Sequence, residues 1–233
     1  MKRSEINQML QEARLFFETG SFDLPPWADW SLQEWRETQW DTQAIRSGAL
    51  GWDMTDFGSG NYQERGLMLF TLRNGNAFEQ SKTYAEKIMM VREGQETPMH
   101  FHWTKTEDII NRGGGNLILE LYNSNQDESL ASNDVNVMMD GIPYTIKAGK
   151  PITLQPGMSI TLETGMYHRF YGEKGRGSVL VGEVSKVNDD ASDNRFLETV
   201  GRFPSIMEDE EPWRLMVGDY DHFLDLNSEE GLA

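Results

Sequence analysis

The chain contains no cysteine, so disulfides and thiolate-ligated zinc sites are excluded at the outset. Positive charge is scarce: 21 Lys and Arg stand against 38 Asp and Glu in 233 residues, a net charge of −17. A phosphate backbone needs clustered Lys and Arg, and an anionic bilayer repels such a surface, so neither nucleic acid nor membrane is an expected partner. No uninterrupted apolar run reaches membrane-spanning length, and the first residues, Met-Lys-Arg-Ser-Glu-Ile-Asn-Gln, lack the apolar region of a secretion signal. These absences make a cytoplasmic protein the expectation. Histidine is also rare, with four in the chain, and that rarity gives their placement meaning.

Hydrophobic residues nevertheless make up 38 % of the chain and aromatics 11 %, enough for a globular core of barrel size. Residues 5–18 carry Ile6, Met9, Leu10, Ala13, Phe16 and Phe17 at helical spacing, with Ser4 as the expected cap and Gly20 as the stop. Ser31-Leu-Gln-Glu34 is a capping box that predicts a second, short helix. Trp27, Trp30, Trp35, Trp40 and Trp52 crowd the same region. Indoles can stack on sugar rings, but such density points to a helical layer packed on a sheet.

From Leu67 the pattern changes to short β-like runs between Gly, Pro and Asn/Asp turns. Strands are expected at 67–72, 84–91, 99–103, 107–112, 116–122, 135–140, 144–148, 152–154, 159–163, 167–171 and 179–186, with 123–133 a polar loop. This spacing predicts a mainly β sandwich or barrel rather than βαβ units. The chain then reads as a single domain: a helical extension over 1–66, a core over 67–187 and an irregular extension over 188–233, with a short tail segment near 213–223. The acidic runs Asp189-Asp190 and Glu208-Asp209-Glu210-Glu211 read as solvated surface, and His222 as a surface or packing residue.

His100-Phe-His102 followed by Glu107 is a metal-ligand spacing. On an extended strand His100 and His102 share one face while Phe101 turns away, and Glu107 can return from the next strand. His168 lies where a later strand could close the set. Imidazoles with a carboxylate suit Mn²⁺, Fe²⁺, Co²⁺, Ni²⁺ or Zn²⁺ and leave open positions for a substrate.

Gly94, His100, His102, Glu107 and Gly114, at spacings of five, one, four and six intervening residues, fill every fixed position of the first motif of the cupin superfamily, which the chain therefore resembles. The second motif is partial: Pro156-Gly157 and Gly165-Met-Tyr-His168 are present, while Glu163 replaces a customary Pro and Gly172 a customary Asn. The resemblance implies a cupin-type jelly-roll β-barrel over 67–187, carrying the metal in its mouth, with an N-terminal helical layer. The helical region, Tyr84-Ala-Glu-Lys87-Ile-Met-Met-Val, His100-Phe-His-Trp-Thr-Lys-Thr-Glu-Asp108 and Gly182-Glu-Val-Ser-Lys-Val-Asn-Asp189 together resemble the bacterial D-lyxose isomerase family. That likeness implies interconversion of D-lyxose and D-xylulose, and of D-mannose and D-fructose. It also implies Mn²⁺ as the preferred ion, and the cupin resemblance implies a homodimer.

Aldose–ketose isomerisation needs a base near C1 and C2, a proton path between O1 and O2, and stabilisation of enediolate charge. Lys87 and Glu183 each interrupt an apolar strand, so each must be paired or placed at a site. Glu183 is the leading base candidate, and Lys87 a partner that orients the sugar or offsets charge; the plainer reading is an ion pair between them. Lys105, between two metal ligands, is a candidate for binding sugar hydroxyls or shuttling a proton, against an ordinary exposed lysine. Asp190 and Asp193 follow the last core strand; either could reach the sugar, or both are surface carboxylates. Trp103 is a candidate pocket wall, although a regular strand turns it from the face of His102. Two other readings stay open at this stage: a non-haem Fe(II) dioxygenase and a non-catalytic metal-containing sugar-binding cupin.

Overall fold

The structure, a computed structural model, describes residues 1–75, 81–190, 192–201 and 204–224. Four α-helices form among them: α1 (Arg3–Thr19), α2 (Leu32–Glu37), α3 (Gln43–Ser47) and α4 (Tyr220–Leu224). The strands run β1 (Gly51–Thr55), β2 (Leu67–Arg73), β3 (Tyr84–Val91), β4 (His100–His102), β5 (Glu107–Gly114), β6 (Leu117–Asn123) and β7 (Val135–Met139). They continue as β8 (Ile142–Ile146), β9 (Ile152–Leu154), β10 (Ser159–Leu162), β11 (Met166–Gly172), β12 (Val179–Lys186) and β13 (Asn194–Phe196). Two antiparallel sheets result, in the orders β1-β2-β3-β12-β5-β10-β7-β8 and β13-β4-β11-β6-β9. This is the expected cupin-type jelly roll.

Alternation along each strand divides apolar residues between two cores. Leu69, Met89, Val91, Ile109 and Val181 point inward and meet Leu117, Leu119, Leu121 and Phe170 of the second sheet. The alternate residues Met68, Phe70, Ile88, Met90 and Leu180 point outward and are covered by Ile6, Leu10, Ala13 and Phe17 of α1. The stripe read from residues 5–18 is therefore the surface that seals the outer face of the first sheet.

Three local expectations change. Ser4 does not cap α1: the Glu5 carboxylate accepts from the Lys2 N–H at 2.8 Å, starting the helix earlier, and the Ser4 N–H and hydroxyl donate to Asp209. The hairpin read as strands at 135–140 and 144–148 instead turns at Asp140-Gly141, with φ of 51° and 78°. Those left-handed values are what a two-residue turn between antiparallel strands requires, and Asp-Gly supplies them. The region 1–66 is not wholly helical, because β1 pairs with β2 from Gly51↔Thr71 to Thr55↔Leu67. Trp27 and Trp52 pack against Phe70 of the sheet, Trp35 packs among Trp27, Trp30 and Tyr220, and Trp40 is exposed.

Candidate metal centre and active site

The two sheets open at one end around a cavity of about 300 Å³, lined by His100, His102 and His168 on one wall and by Lys87, Lys105, Glu107 and Glu183 on the other. Period-two alternation sets the first wall. His100 and His102 face the cavity, while Phe101 turns away to pack on Tyr167 with ring centroids 4.8 Å apart. His168 is delivered by β11, whose only residue paired with β4 sets His168 opposite His100. The candidate ligand atoms of the three histidines lie within 4.8 Å of one another. Glu107 opens β5 in the other sheet, and its Oε1 lies 3.4 Å from His102 Nε2 and 3.2 Å from His168 Nε2.

Hydrogen bonds behind the rings fix what they present. His100 Nδ1 contacts the Pro98 carbonyl at 2.8 Å and His168 Nδ1 the Met166 carbonyl at 3.0 Å. A carbonyl only accepts, so each Nδ1 carries the hydrogen and each Nε2 presents a lone pair to the cavity. The buried His168 Nε2 has no hydrogen-bond partner, and neither has His102 Nδ1. A lone pair 3.2 Å from a carboxylate oxygen is repelled unless a cation or proton lies between them. Burial, and then the neighbouring imidazoles His168 and His102, hold His100 well below the ordinary histidine range, in the neutral form that ligates. Burial alone would raise the Glu107 carboxyl, but the Lys105 ammonium and His102 outweigh it and keep the carboxylate ionised. Three imidazoles and one carboxylate thus fit a divalent cation of the Mn²⁺-to-Zn²⁺ kind.

The second wall is a buried ionic cluster. Lys87 and Glu183 are cross-strand neighbours on β3 and β12, Nζ to Oε1 3.7 Å, which is the pairing that their apolar surroundings demanded. Lys105 is not the exposed loop lysine of the plainer reading. Its ammonium donates to Glu183 Oε1 at 3.0 Å and lies 2.8 Å from Glu107 Oε2. Burial pulls the Lys105 ammonium down, yet Glu107, Glu183 and Asp190 overcome it and hold the group above the usual lysine range. Asp190 reaches the cavity as well, 3.6 Å from Lys87 Nζ. Two ammoniums against three carboxylates leave an excess of negative charge beside the imidazoles, which again favours a bound cation.

Two expected sugar contacts are displaced. Trp103 does not line the cavity: it is half exposed on the far side of β4, its ring 4.6 Å from Phe101. Asp193 is buried, neither a surface carboxylate nor a cavity wall. Its carboxylate accepts from the Thr104 N–H at 2.7 Å, the Thr104 hydroxyl at 2.8 Å and the Lys105 N–H at 3.0 Å. It therefore fixes the turn that carries Lys105. His222 is exposed on α4 against Phe223, in keeping with a surface or packing role.

The cavity also draws on segments read as extensions. Asp53 and Thr55 on β1 line it, their neighbours Trp52 and Met54 facing the α1 layer. That alternation in Trp-Asp-Met-Thr was the available signal for a strand. Strand β13 pairs with β4 in the register Asn194↔His102 and Phe196↔His100, and the Phe196 ring stacks on His100 with centroids 5.2 Å apart. No local pattern predicts that pairing.

The family model for D-lyxose isomerase matches residues 1–220. A D-lyxose/D-mannose isomerase of Serratia proteamaculans is 49 % identical over 229 residues, covering 96 % of this chain and 100 % of that protein. One from Escherichia coli O157:H7 is 50 % identical over 228 residues, with the same coverage. In fold, the chain superposes on the L-ribose isomerase of Cellulomonas parahominis with a TM-score of 0.60 at 17 % identity, covering 89 % of this chain and 98 % of that one. The L-ribose isomerase of Geodermatophilus obscurus gives a TM-score of 0.60 at 15 % identity, with the same coverage. The two structures bear on the barrel architecture alone, whereas the sequence matches run through the barrel and both of its extensions. On that footing the chain belongs to the D-lyxose isomerase family.

Proposed function

We propose that this sugar isomerase interconverts D-lyxose with D-xylulose and D-mannose with D-fructose, using a Mn²⁺ ion held by His100, His102, Glu107 and His168. The reading rests above all on one observation: a buried Lys–Glu cluster facing three inward histidines across a single cavity. The bound ion supplies Lewis acidity toward the sugar oxygens and offsets the charge that develops on them. Glu183 accepts the proton that leaves C2 of the aldose and returns it to C1. Lys105 gives a proton to O1 and takes one back from O2, so the lysine is restored and no net proton is gained or lost. Lys87 lies beside Glu183 and orients the sugar hydroxyls or offsets enediolate charge. Thr55 and Asp53 bring polar groups to the cavity from β1, where a polyol needs partners.

The helical segment, barrel and C-terminal segment act in this reading as one domain, in a cytoplasmic homodimer whose mass light scattering would report. The function is tested by ketose formation from D-lyxose, D-mannose, D-xylose and D-glucose with EDTA-stripped protein, with and without Mn²⁺. Restoration by Mn²⁺ with D-lyxose and D-mannose ahead of the other two is expected. Tight Mn²⁺ binding without turnover of any aldose would overturn the proposal. Solvent exchange of a C2 deuterium label separates proton transfer through Glu183 from a hydride shift, which retains the label.

A further inference from the structure

Asn188 lies just beyond β12, behind the two lysines rather than on the cavity wall. Lys87 Nζ donates to its Oδ1 at 2.7 Å, and Lys105 Nζ donates to the same oxygen at 3.3 Å. Glu183 Oε1 also bridges both ammoniums, at 3.7 Å from Lys87 and 3.0 Å from Lys105. Two cations are thus held between one charged and one neutral oxygen. For Lys87 the neutral oxygen is the near one; Glu183 and Asp190, at 3.7 and 3.6 Å, are beyond hydrogen-bond reach.

Asn188 is itself clamped through its backbone. Its N–H donates to Asn74 Oδ1 at 2.9 Å, and its carbonyl accepts from Asn74 Nδ2 at 3.0 Å. The same Nδ2 donates to the Gly48 carbonyl at 3.3 Å, so the clamp also reaches the turn before β1. An amide side chain can satisfy a donor and an acceptor at once, which a carboxylate or hydroxyl in its place does less well. Neither asparagine touches the metal-ligand set.

The geometry points to Asn188, held by Asn74, as a positioning residue that keeps the Lys87 ammonium off the Glu183 carboxylate. Without the Asn188 oxygen, Lys87 has no hydrogen-bond acceptor within reach among the contacts described, and Glu183 is the adjacent cross-strand anion. The ammonium would close on it and take up the lone pair that the proposed proton transfer uses. The inference rests on the base role proposed for Glu183.

The test compares Asn188→Leu, Asn188→Asp, Asn74→Ala and the double variant Asn74→Ala/Asn188→Leu with wild type on D-lyxose, Mn²⁺-loaded. Asn188→Leu is expected to lower kcat by about 10- to 100-fold, the order of loss from a misplaced catalytic group, with KM within about twofold. Asn188→Asp keeps the bridging oxygen and should recover most of kcat. The double variant should be no worse than Asn188→Leu, because both changes act through Lys87. Wild-type kcat in Asn188→Leu, a loss confined to KM, or multiplicative losses would each overturn the inference. If wild type does not turn over D-lyxose, the functional reading fails, and the Asn188→Leu crystal structure still decides the geometry. Lys87 Nζ within hydrogen-bond distance of Glu183 supports the inference, and Lys87 unmoved from 3.7 Å overturns it. Should Asn188→Leu not fold, the kinetics and structure of Asn74→Ala carry the same outcomes.

Discussion

At the scale of single residues, the contact that governs the site is the 3.2 Å approach of His168 Nε2 to Glu107 Oε1. Both atoms present lone pairs, so a shared cation relieves a repulsion as well as forming bonds. Replacing His168 by Ala should weaken Mn²⁺ binding by more than the roughly 10- to 100-fold typical of losing a partner behind a ligand. Calorimetric Mn²⁺ titration of the stripped variant measures it, and unchanged affinity would remove His168 from the set. Glu183→Gln keeps the shape and loses the base. It should lower kcat by about 10²- to 10⁴-fold while Mn²⁺ content stays at the wild-type level. Loss of metal together with activity would instead make Glu183 a ligand. The histidines and Glu107 were legible in the sequence because a strand's two-residue period decides locally that His100 and His102 face together. Trp103 and Asp193 were misplaced as sugar contacts for related reasons. Trp103 shares the parity of Phe101 and faces away, and Asp193 is consumed by Thr104 and Lys105, partners that only the folded chain brings to it.

At the scale of elements, the cavity depends on two loops that meet through glycine backbones. A Cβ on Gly58 would lie 2.7 Å from Gly201 Cα and 2.8 Å from Gly201 N, and the Gly201 N–H donates to the Phe57 carbonyl at 3.0 Å. Phe57 and Gly201 both line the cavity, so the contact joins the segment after β1 to the segment after β13 across its mouth. Gly58→Ala therefore opposes backbone to backbone, with no flexible side chain to give way. It should cost about 1–3 kcal/mol of stability and raise KM for the sugar several-fold. Gly60→Ala is the control, since Gly60 has a similar φ of 70° but nothing within 4 Å of an added Cβ. Thermal unfolding and KM on D-lyxose check both variants. If the two behave alike, backbone strain rather than loop contact is responsible. The core strands were readable because each is a bounded apolar alternation. β13 has only three residues and exists through its pairing with β4, so no period marks it in advance.

At the scale of the molecule, the N-terminal helix and the C-terminal segment are tied together over the first sheet. Arg3 is buried and pairs with Glu208 and Asp219, each at 2.7 Å, while Asn7 Nδ2 donates to Glu210 Oε1 at 2.7 Å. The acidic run at 208–211, expected to be only solvated surface, thus also ties α1 to the segment after the barrel. The hydrogen bond from Arg3, with its charge, keeps the Glu208 carboxyl below the ordinary carboxylate range against a smaller opposing effect of burial. A depressed folded-state value means the stabilisation is present above the unfolded value of about 4.3 and is lost as pH falls through the folded one. Wild type should therefore exceed Glu208→Gln in urea midpoint at pH 6, with the difference vanishing toward pH 3. Because Glu208 is partly exposed, the gap should be no more than about 1 kcal/mol. A constant gap across that range would assign the effect to packing instead.

By itself the sequence determined that His100 and His102 share one face, that α1 carries a buried apolar stripe and that the stretch between residues 67 and 187 is a strand-rich barrel. Each of these is written in a short-range period that the backbone geometry imposes on neighbouring side chains. The tertiary structure alone decided what stands opposite the histidines. Lys87, Lys105 and Glu183 meet because β12 lies between β3 and β5, and Asp53, Asn188 and Phe196 join them from the two extensions. A strand's face follows from its own residues, but its neighbours follow from how distant segments bury their apolar surfaces together, which no local pattern records.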